Sequence, residues 1–166
     1  MKVASGFFNN PKLGLPSSNG LMILLDSQTG VIKSVLLDKG YLTDVRTAIA
    51  GAIASKYLSN PDSSTVAIIG TGIQARMQLE ALTLVRDIKN VNVWSRDIKK
   101  THAYIENVTK KINLNFTAFD NTSEVVKNAD ILITTTPSKK PLVDYSYLPK
   151  GIHITAMGSD AEEKNE

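Results

Sequence analysis

The chain has 166 residues, enough for one domain or for one domain with part of a second. Its 42% hydrophobic and 21% charged residues fit a globular protein, and a formal net charge of +3 on scattered lysines, with no basic block, argues against a nucleic-acid partner. The lack of Cys excludes disulfides and thiolate zinc sites and fits a reducing, cytoplasmic setting; no apolar run nears the ~20 residues of a membrane helix, and MKVASGFFNN lacks the apolar stretch of a signal peptide, so no membrane partner is expected.

Residues 1–8 read as a strand and NNPKLGLPSSNG (9–20) as a loop. LMILLD (21–26), the turn SQTG and VIKSVLLD (31–38) read as a β-hairpin. In YLTDVRTAIAGAIASKYLS, Thr43 reads as the N-cap with Asp44 in the first turn, and Asn60-Pro61 ends a helix that runs to about Leu58. From Thr65 strands and helices alternate. The strands are TVAIIG (65–70), VNVWS (91–95), NFTAF (115–119), ILITTT (131–136) and GIHITAMG (151–158). Helical segments at 73–86, about 97–111 and 122–128 separate the first four, and PSKKPLVDYSYLPK is more loop-like. Nearly all-apolar strands at this spacing predict an α/β fold with a Rossmann-type, doubly wound parallel sheet over 62–166, preceded by part of a second, α+β domain over 1–61.

The sharpest local signal is VAIIGTGIQARMQLEAL. A strand runs into Gly70-Thr71-Gly72-Ile73-Gln74-Ala75 and then a helix, the G-x-G-x-x-A form of the dinucleotide fingerprint. Gly70 permits the tight turn, Gly72 lets backbone approach a pyrophosphate, and Ala75 allows close helix–strand packing, while the helix N-terminus offers N–H donors and a favourable dipole. The next strand ends in Ser95-Arg96-Asp97. An acidic residue at Ser95 would bond the adenine ribose of NAD; Ser95 repels no 2′-phosphate and Arg96 can pair with one, so NADP(H) is favoured, with NAD(H) the alternative. Asp97 either caps the following helix or takes the ribose itself. Thr135 and Thr136, at a strand's carboxyl end, are candidates for the nicotinamide-side ribose, although a Thr run also suits a strand. After the last strand, the small residues around Met157 and Gly158 leave room for a cofactor. His102 and His153 are too far apart in sequence to suggest a metal pair; His153 reads as a core residue, and no metal site is expected.

KVASGFFNNPKLGLPSSNG, LTDVRTAIAGAIASKYL, VAIIGTGIQA and ITAMGSDAEEK stand in the order and spacing of the ornithine cyclodeaminase/mu-crystallin family, which the chain resembles over essentially its whole length. Its opening is most similar to the ectoine-utilisation cyclodeaminase-like branch. The resemblance implies that residues 1–61 are a partial substrate and dimerisation domain with a connecting helix, that further N- and C-terminal segments complete it, and that the full-length form is a homodimer. It also implies hydride transfer from an amino acid's α-carbon to NAD(P)+. In a cyclodeaminase the side-chain amine then attacks the imine, ammonia leaves and the ring imine is reduced again. The alternatives are an NADPH-dependent ketimine or imino-acid reductase, an alanine dehydrogenase-like enzyme, or a non-catalytic NADP(H)-binding protein of mu-crystallin type or an inactive fragment. By residue, the resemblance places Lys2 at the substrate carboxylate and the imine, and Arg46 at the carboxylate. Asp160 becomes the proton-transfer group or the anchor of the substrate amine, Lys164 lies near the cofactor, and Ser17 or Ser18 supplies a hydroxyl from the G-L-P loop. Arg46, read on a first helical turn, sits against the helix dipole, as a functional residue can. Ser95 departs from the acidic residue of NAD-using cyclodeaminases, and NADPH-preferring imine reductases of the family carry a similar polar-Arg pair.

Overall fold

A computed structural model describes residues 1–7, 9–159 and 162–166. The chain forms two compact units, Met1–Arg46 and Thr47–Glu166.

The first unit is an antiparallel three-stranded sheet in the order β1 (Lys2–Gly6), β2 (Ser18–Leu25), β3 (Ile32–Leu36). β2 starts three residues earlier than its apolar run, because polar Ser18 and Asn19 pair with Gly6 and Ser5 of β1. Residues 9–17 contain a 3-10 turn, Asn10–Leu13. The β2–β3 turn is organised by Asp26, whose Oδ1 accepts from Gln28 N, Thr29 N and the Thr29 hydroxyl at 2.9–3.1 Å. These bonds, those of Thr29 foremost, hold its carboxyl below the ordinary aspartate value.

Helix α1 (Tyr41–Leu58) begins before Thr43. Asp38 Oδ2 accepts from Leu42 N at 2.7 Å, so the capping side chain is Asp38 and Thr43 lies inside the helix. Arg46 therefore sits in the second turn, where the dipole opposes its charge less than in the first. The division between the two units falls within α1.

The second unit carries five parallel strands: β4 (Thr65–Ile69), β5 (Asn90–Trp94), β6 (Asn115–Phe119), β7 (Ile131–Thr134) and β8 (His153–Ala156). Their order across the sheet is β6-β5-β4-β7-β8, and every pairing is parallel. Between them run α2 (Ile73–Leu82), α3 (Ile98–Thr109) and α4 (Thr122–Val126), while residues 135–152 hold only a 3-10 turn at Tyr145–Tyr147. The side chains of β4 alternate. Val66 and Ile68 enter one core with Leu79, Val93, Val108 and Ile133, whereas Ala67 and Ile69 enter another with Val125, Val126 and Leu132. All four of these β4 residues are 0% exposed, which is why the strand is apolar without a break. Truncating such a core residue to Ala costs on the order of 2–5 kcal/mol.

α2 is shorter than the apolar pattern suggests. Thr83 turns its hydroxyl back to Glu80 O at 2.8 Å, and the chain leaves the helix there. At the amino ends of β4 and β7, Asp130 Oδ2 accepts from Ser64 N and Thr65 N at 2.8 and 2.9 Å, fixing the register of the central pair. Among the described residues no helix is long and apolar enough to cross a membrane.

Candidate dinucleotide site

The carboxyl ends of β4, β5 and β7 meet around the glycine loop. Gly70 N continues the ladder to Trp94 O at 2.9 Å, but its φ of 117° lies where side-chain-bearing residues are strained. A Cβ there would stand 2.5 Å from Thr135 Oγ1, so Gly70 is required by conformation and by space. Gly72 is the N-cap of α2 with extended backbone and no side-chain cap, and a Cβ there would meet nothing within 4 Å. The first-turn N–H groups of α2 thus begin beside open space, the arrangement an anionic group needs.

A cavity of about 270 Å³ adjoins this loop. It gathers Gly70, Thr71 and Gly72, then Ser95 and Arg96 after β5, and Thr135 and Thr136 after β7, with Trp94, Asp97, Lys100, Pro137, Ser138 and Leu142 completing the lining. Seven residues singled out in the sequence therefore share one cavity. Ser95 Oγ bonds Asp97 O and Thr101 Oγ1, both at 2.9 Å. Asp97 takes the capping role: its Oδ1 accepts from Lys99 N at 3.0 Å and starts α3. Arg96 and Lys100 are exposed cations on the cavity wall, and neither forms a salt bridge among the described residues. Lys100 was not legible as a site residue. Its only sequence signal is a position four residues after Arg96, on the first turn of α3.

The β7 side is tied more tightly. Thr135 N and Thr135 Oγ1 both donate to Ile69 O, at 2.9 and 3.3 Å. Met157 N and Gly158 N donate to Thr134 O at 2.9 and 3.2 Å. A carboxylate from far along the chain, Glu166, accepts from Thr134 Oγ1 at 2.8 Å and from Thr136 N. Gly158 has no room for a side chain, because a Cβ would run into Thr136 O and the Glu166 carboxylate.

The other sequence candidates lie elsewhere. Ile73 lines a neighbouring cavity of about 460 Å³ between α2 and α3, with Arg76, Lys100 and Tyr104. Gln74, in the first turn of α2, accepts from Gln78 Nε2 at 3.4 Å. Lys164 lies half-buried in the segment 162–166. In the first unit, Lys2 begins β1 opposite Met22, Ser17 O accepts from Phe7 N at 2.7 Å, and Arg46 is exposed on α1. Asp160 falls outside the described residues. His153 Nε2 lies 3.2 Å from Thr155 Oγ1, and burial, then the charge of Arg86, lowers its pKa. Among the described residues no three His, Cys, Asp or Glu side chains gather as metal ligands would.

The family model for the ornithine cyclodeaminase/mu-crystallin family matches residues 1–166. The chain belongs to that family. An uncharacterised cyclodeaminase of Sinorhizobium fredii is 52% identical to it over 166 residues, which are 100% of this chain and 50% of that protein. Among solved structures, an archaeal alanine dehydrogenase dimer with bound NAD is 36% identical with a TM-score of 0.91, covering 99% of this chain and 50% of that one. The Delta(1)-pyrroline-2-carboxylate reductase of Thermococcus litoralis, in complex with NADH and L-proline, is 34% identical with a TM-score of 0.86, covering 92% and 47%. This member of the family thus spans about half the length of the relatives it matches. Those relatives are an uncharacterised cyclodeaminase, an alanine dehydrogenase and a Delta(1)-pyrroline-2-carboxylate reductase, and the expected fold class holds in the two solved structures.

Proposed function

We propose that the chain is the cofactor-binding core of an NAD(P)-dependent amino-acid cyclodeaminase, with hydride transfer at an amino-acid α-carbon as its chemistry. The observation that carries this reading is the cavity at the carboxyl ends of β4, β5 and β7, where the glycine loop, Ser95-Arg96 and Thr135-Thr136 converge. Open α/β sheets place their ligands at that edge. Relatives at 52% and 51% identity carry the names of a cyclodeaminase and a dehydrogenase, which supports the hydride chemistry common to both.

The residues fit a dinucleotide. The open face of Gly72 and the start of α2 suit the pyrophosphate, Thr135 and Thr136 the nicotinamide-side ribose, and Ser95, Arg96 and Lys100 the adenine-side ribose. With Asp97 engaged as a helix cap, the cations at this end outnumber the carboxylates, which favours the 2′-phosphate of NADP(H) over the bare ribose of NAD(H). When bound, the nicotinamide ring accepts or returns a hydride. In this reading the Met1–Arg46 unit belongs to the substrate and dimerisation part of the protein. Arg46 grips the substrate carboxylate with two parallel hydrogen bonds, Lys2 holds the same carboxylate and polarises the imine, and Asp160 moves the proton.

The test has two arms. Calorimetric titration of the chain should give NADP+ several-fold tighter binding than NAD+. Arg96→Ala should cost on the order of 1–3 kcal/mol for the phosphorylated form alone. In the protein with its flanking segments, Asp160→Asn should lower turnover of ornithine, alanine or a cyclic imino acid by about 100-fold while cofactor affinity barely moves. Equal affinity for both dinucleotides removes the NADP(H) preference. Full turnover by Asp160→Asn on every accepted substrate turns the reading toward a non-catalytic NADP(H)-binding protein.

A further inference from the structure

We propose that Glu166 is a positioning residue: its carboxylate holds the end of β7 and so fixes one wall of the cofactor cavity. This rests on the dinucleotide reading of that cavity.

Up to Thr135 the end of β7 is pinned by its neighbours in the sheet. Thr134 O accepts from the two amides after β8, and Thr135 donates twice to Ile69 O at the end of β4. The next amide, Thr136 N, lies beyond the ladder, and it donates to Glu166 Oε1. The second oxygen, Oε2, accepts from the hydroxyl of Thr134, a residue only 3% exposed. One ionised group therefore satisfies a buried hydroxyl and a backbone N–H two residues apart. Hydrogen bonds to a carboxylate are stronger than those between neutral groups, and leaving the Thr134 hydroxyl unpaired in its buried setting is unfavourable.

Two further contacts align the same segment. Asn165 N donates to Ser138 O at 2.8 Å, and Lys139 Nζ pairs with Glu163 Oε2 at 2.6 Å. The ion pair is exposed on both sides and adds little by itself. It is the carboxylate of Glu166 that reaches inward. Gly158 leaves the room this arrangement uses: any side chain there would occupy the space shared by Thr136 O and the Glu166 carboxylate. The segment held in this way, Thr135 to Ser138, is the β7-side wall of the cavity.

A tie that merely closed the loop would be insensitive to what Glu166 carries. A positioning carboxylate makes specific demands. Gln retains an acceptor for Thr136 N, and its NH2 can donate to the Thr134 hydroxyl; Ala offers neither. The experiment uses the whole chain as wild type, Glu166→Gln and Glu166→Ala. NADPH binding is followed by quenching of Trp94, the one tryptophan, and the Thr136 amide by 1H–15N correlation spectra over an acid titration.

Glu166→Ala should weaken NADPH by about tenfold, the size of one charge-assisted hydrogen bond, while Glu166→Gln stays within about threefold of wild type. The Thr136 amide proton should lie downfield in wild type, move as the carboxylate is protonated, and lose both properties in Glu166→Ala. Wild-type NADPH affinity in Glu166→Ala, or a Thr136 resonance identical in the three proteins at every pH, overturns the proposal. A wild-type chain that binds neither NADPH nor NADH would sink the cofactor reading instead, and the Thr136 resonance would still decide whether Glu166 holds the wall.

Discussion

Replacing Gly70 by Ala tests the glycine loop where its geometry is most demanding. Two costs add. The φ of 117° at Gly70 is a region that side-chain-bearing residues enter at about 1–3 kcal/mol. The new methyl would also stand 2.5 Å from Thr135 Oγ1 and 3.1 Å from Thr135 O, an overpacking worth about 1–3 kcal/mol when neighbours must shift. The expected loss is therefore about 2–6 kcal/mol, a large part of a typical domain's stability. Thr135→Ala separates the two terms. It removes the hydroxyl that the methyl meets and leaves the backbone strain, so in that background Gly70→Ala should cost less by about 1–2 kcal/mol. Urea unfolding reports both, with Trp94 on the cavity wall as the fluorescent probe. A Gly70→Ala protein within about 0.5 kcal/mol of wild type would refute the reasoning, as would an equal cost in both backgrounds.

The cap of α3 and the hairpin turn give two further outcomes. Asp97→Ala should cost about 1 kcal/mol in urea unfolding, whereas Asp97→Asn, which keeps the acceptor for Lys99 N, should stay within about 0.5 kcal/mol and bind NADP+ more tightly because a carboxylate has left the cavity. The Asp26 carboxyl is held low in the folded turn by Thr29, Gln28 and Lys33, against an ordinary value of 3.8. Its support for the β2–β3 turn is therefore complete above that value and lost as pH falls through the lower folded one. A side-chain carboxyl titration by NMR with a midpoint at or above 3.8 would contradict this.

The second unit was legible because its information is local. The central strands β4 and β7 are apolar runs, β5 and β6 alternate apolar with polar residues, and the strand, Gly70-Thr71-Gly72 and α2 announce one another within a single stretch. Asp97 was readable in kind but not in role: a carboxylate at that position could cap or could bind, and only the bond from Lys99 N separates the two. The residues that escaped act at a distance or against the pattern. Glu166 meets Thr134 and Thr136 across 32 and 30 positions, with no periodicity to mark it. The early start of β2 comes from pairing with β1, which no local preference of Ser18-Asn19-Gly20 would suggest. α1 begins before Thr43 because Asp38 outreaches the nearer candidate cap.

The tie from Asp130 to Ser64 and Thr65 has a consequence for how the protein is made. β4 receives β5 soon after it is synthesised, but its other partner arrives much later, since the bond from Thr65 N to Asp130 spans 65 positions. At ~5–20 residues per second on the ribosome, the apolar strand leaves one flank unpaired for roughly 3–13 s. Throughout that interval Val66 to Ile69 present backbone donors and acceptors that any other extended segment could use. The vulnerable moment in this protein's life thus falls during its own synthesis, and slowing translation between α3 and β7 should increase its aggregation more than slowing it anywhere after β7.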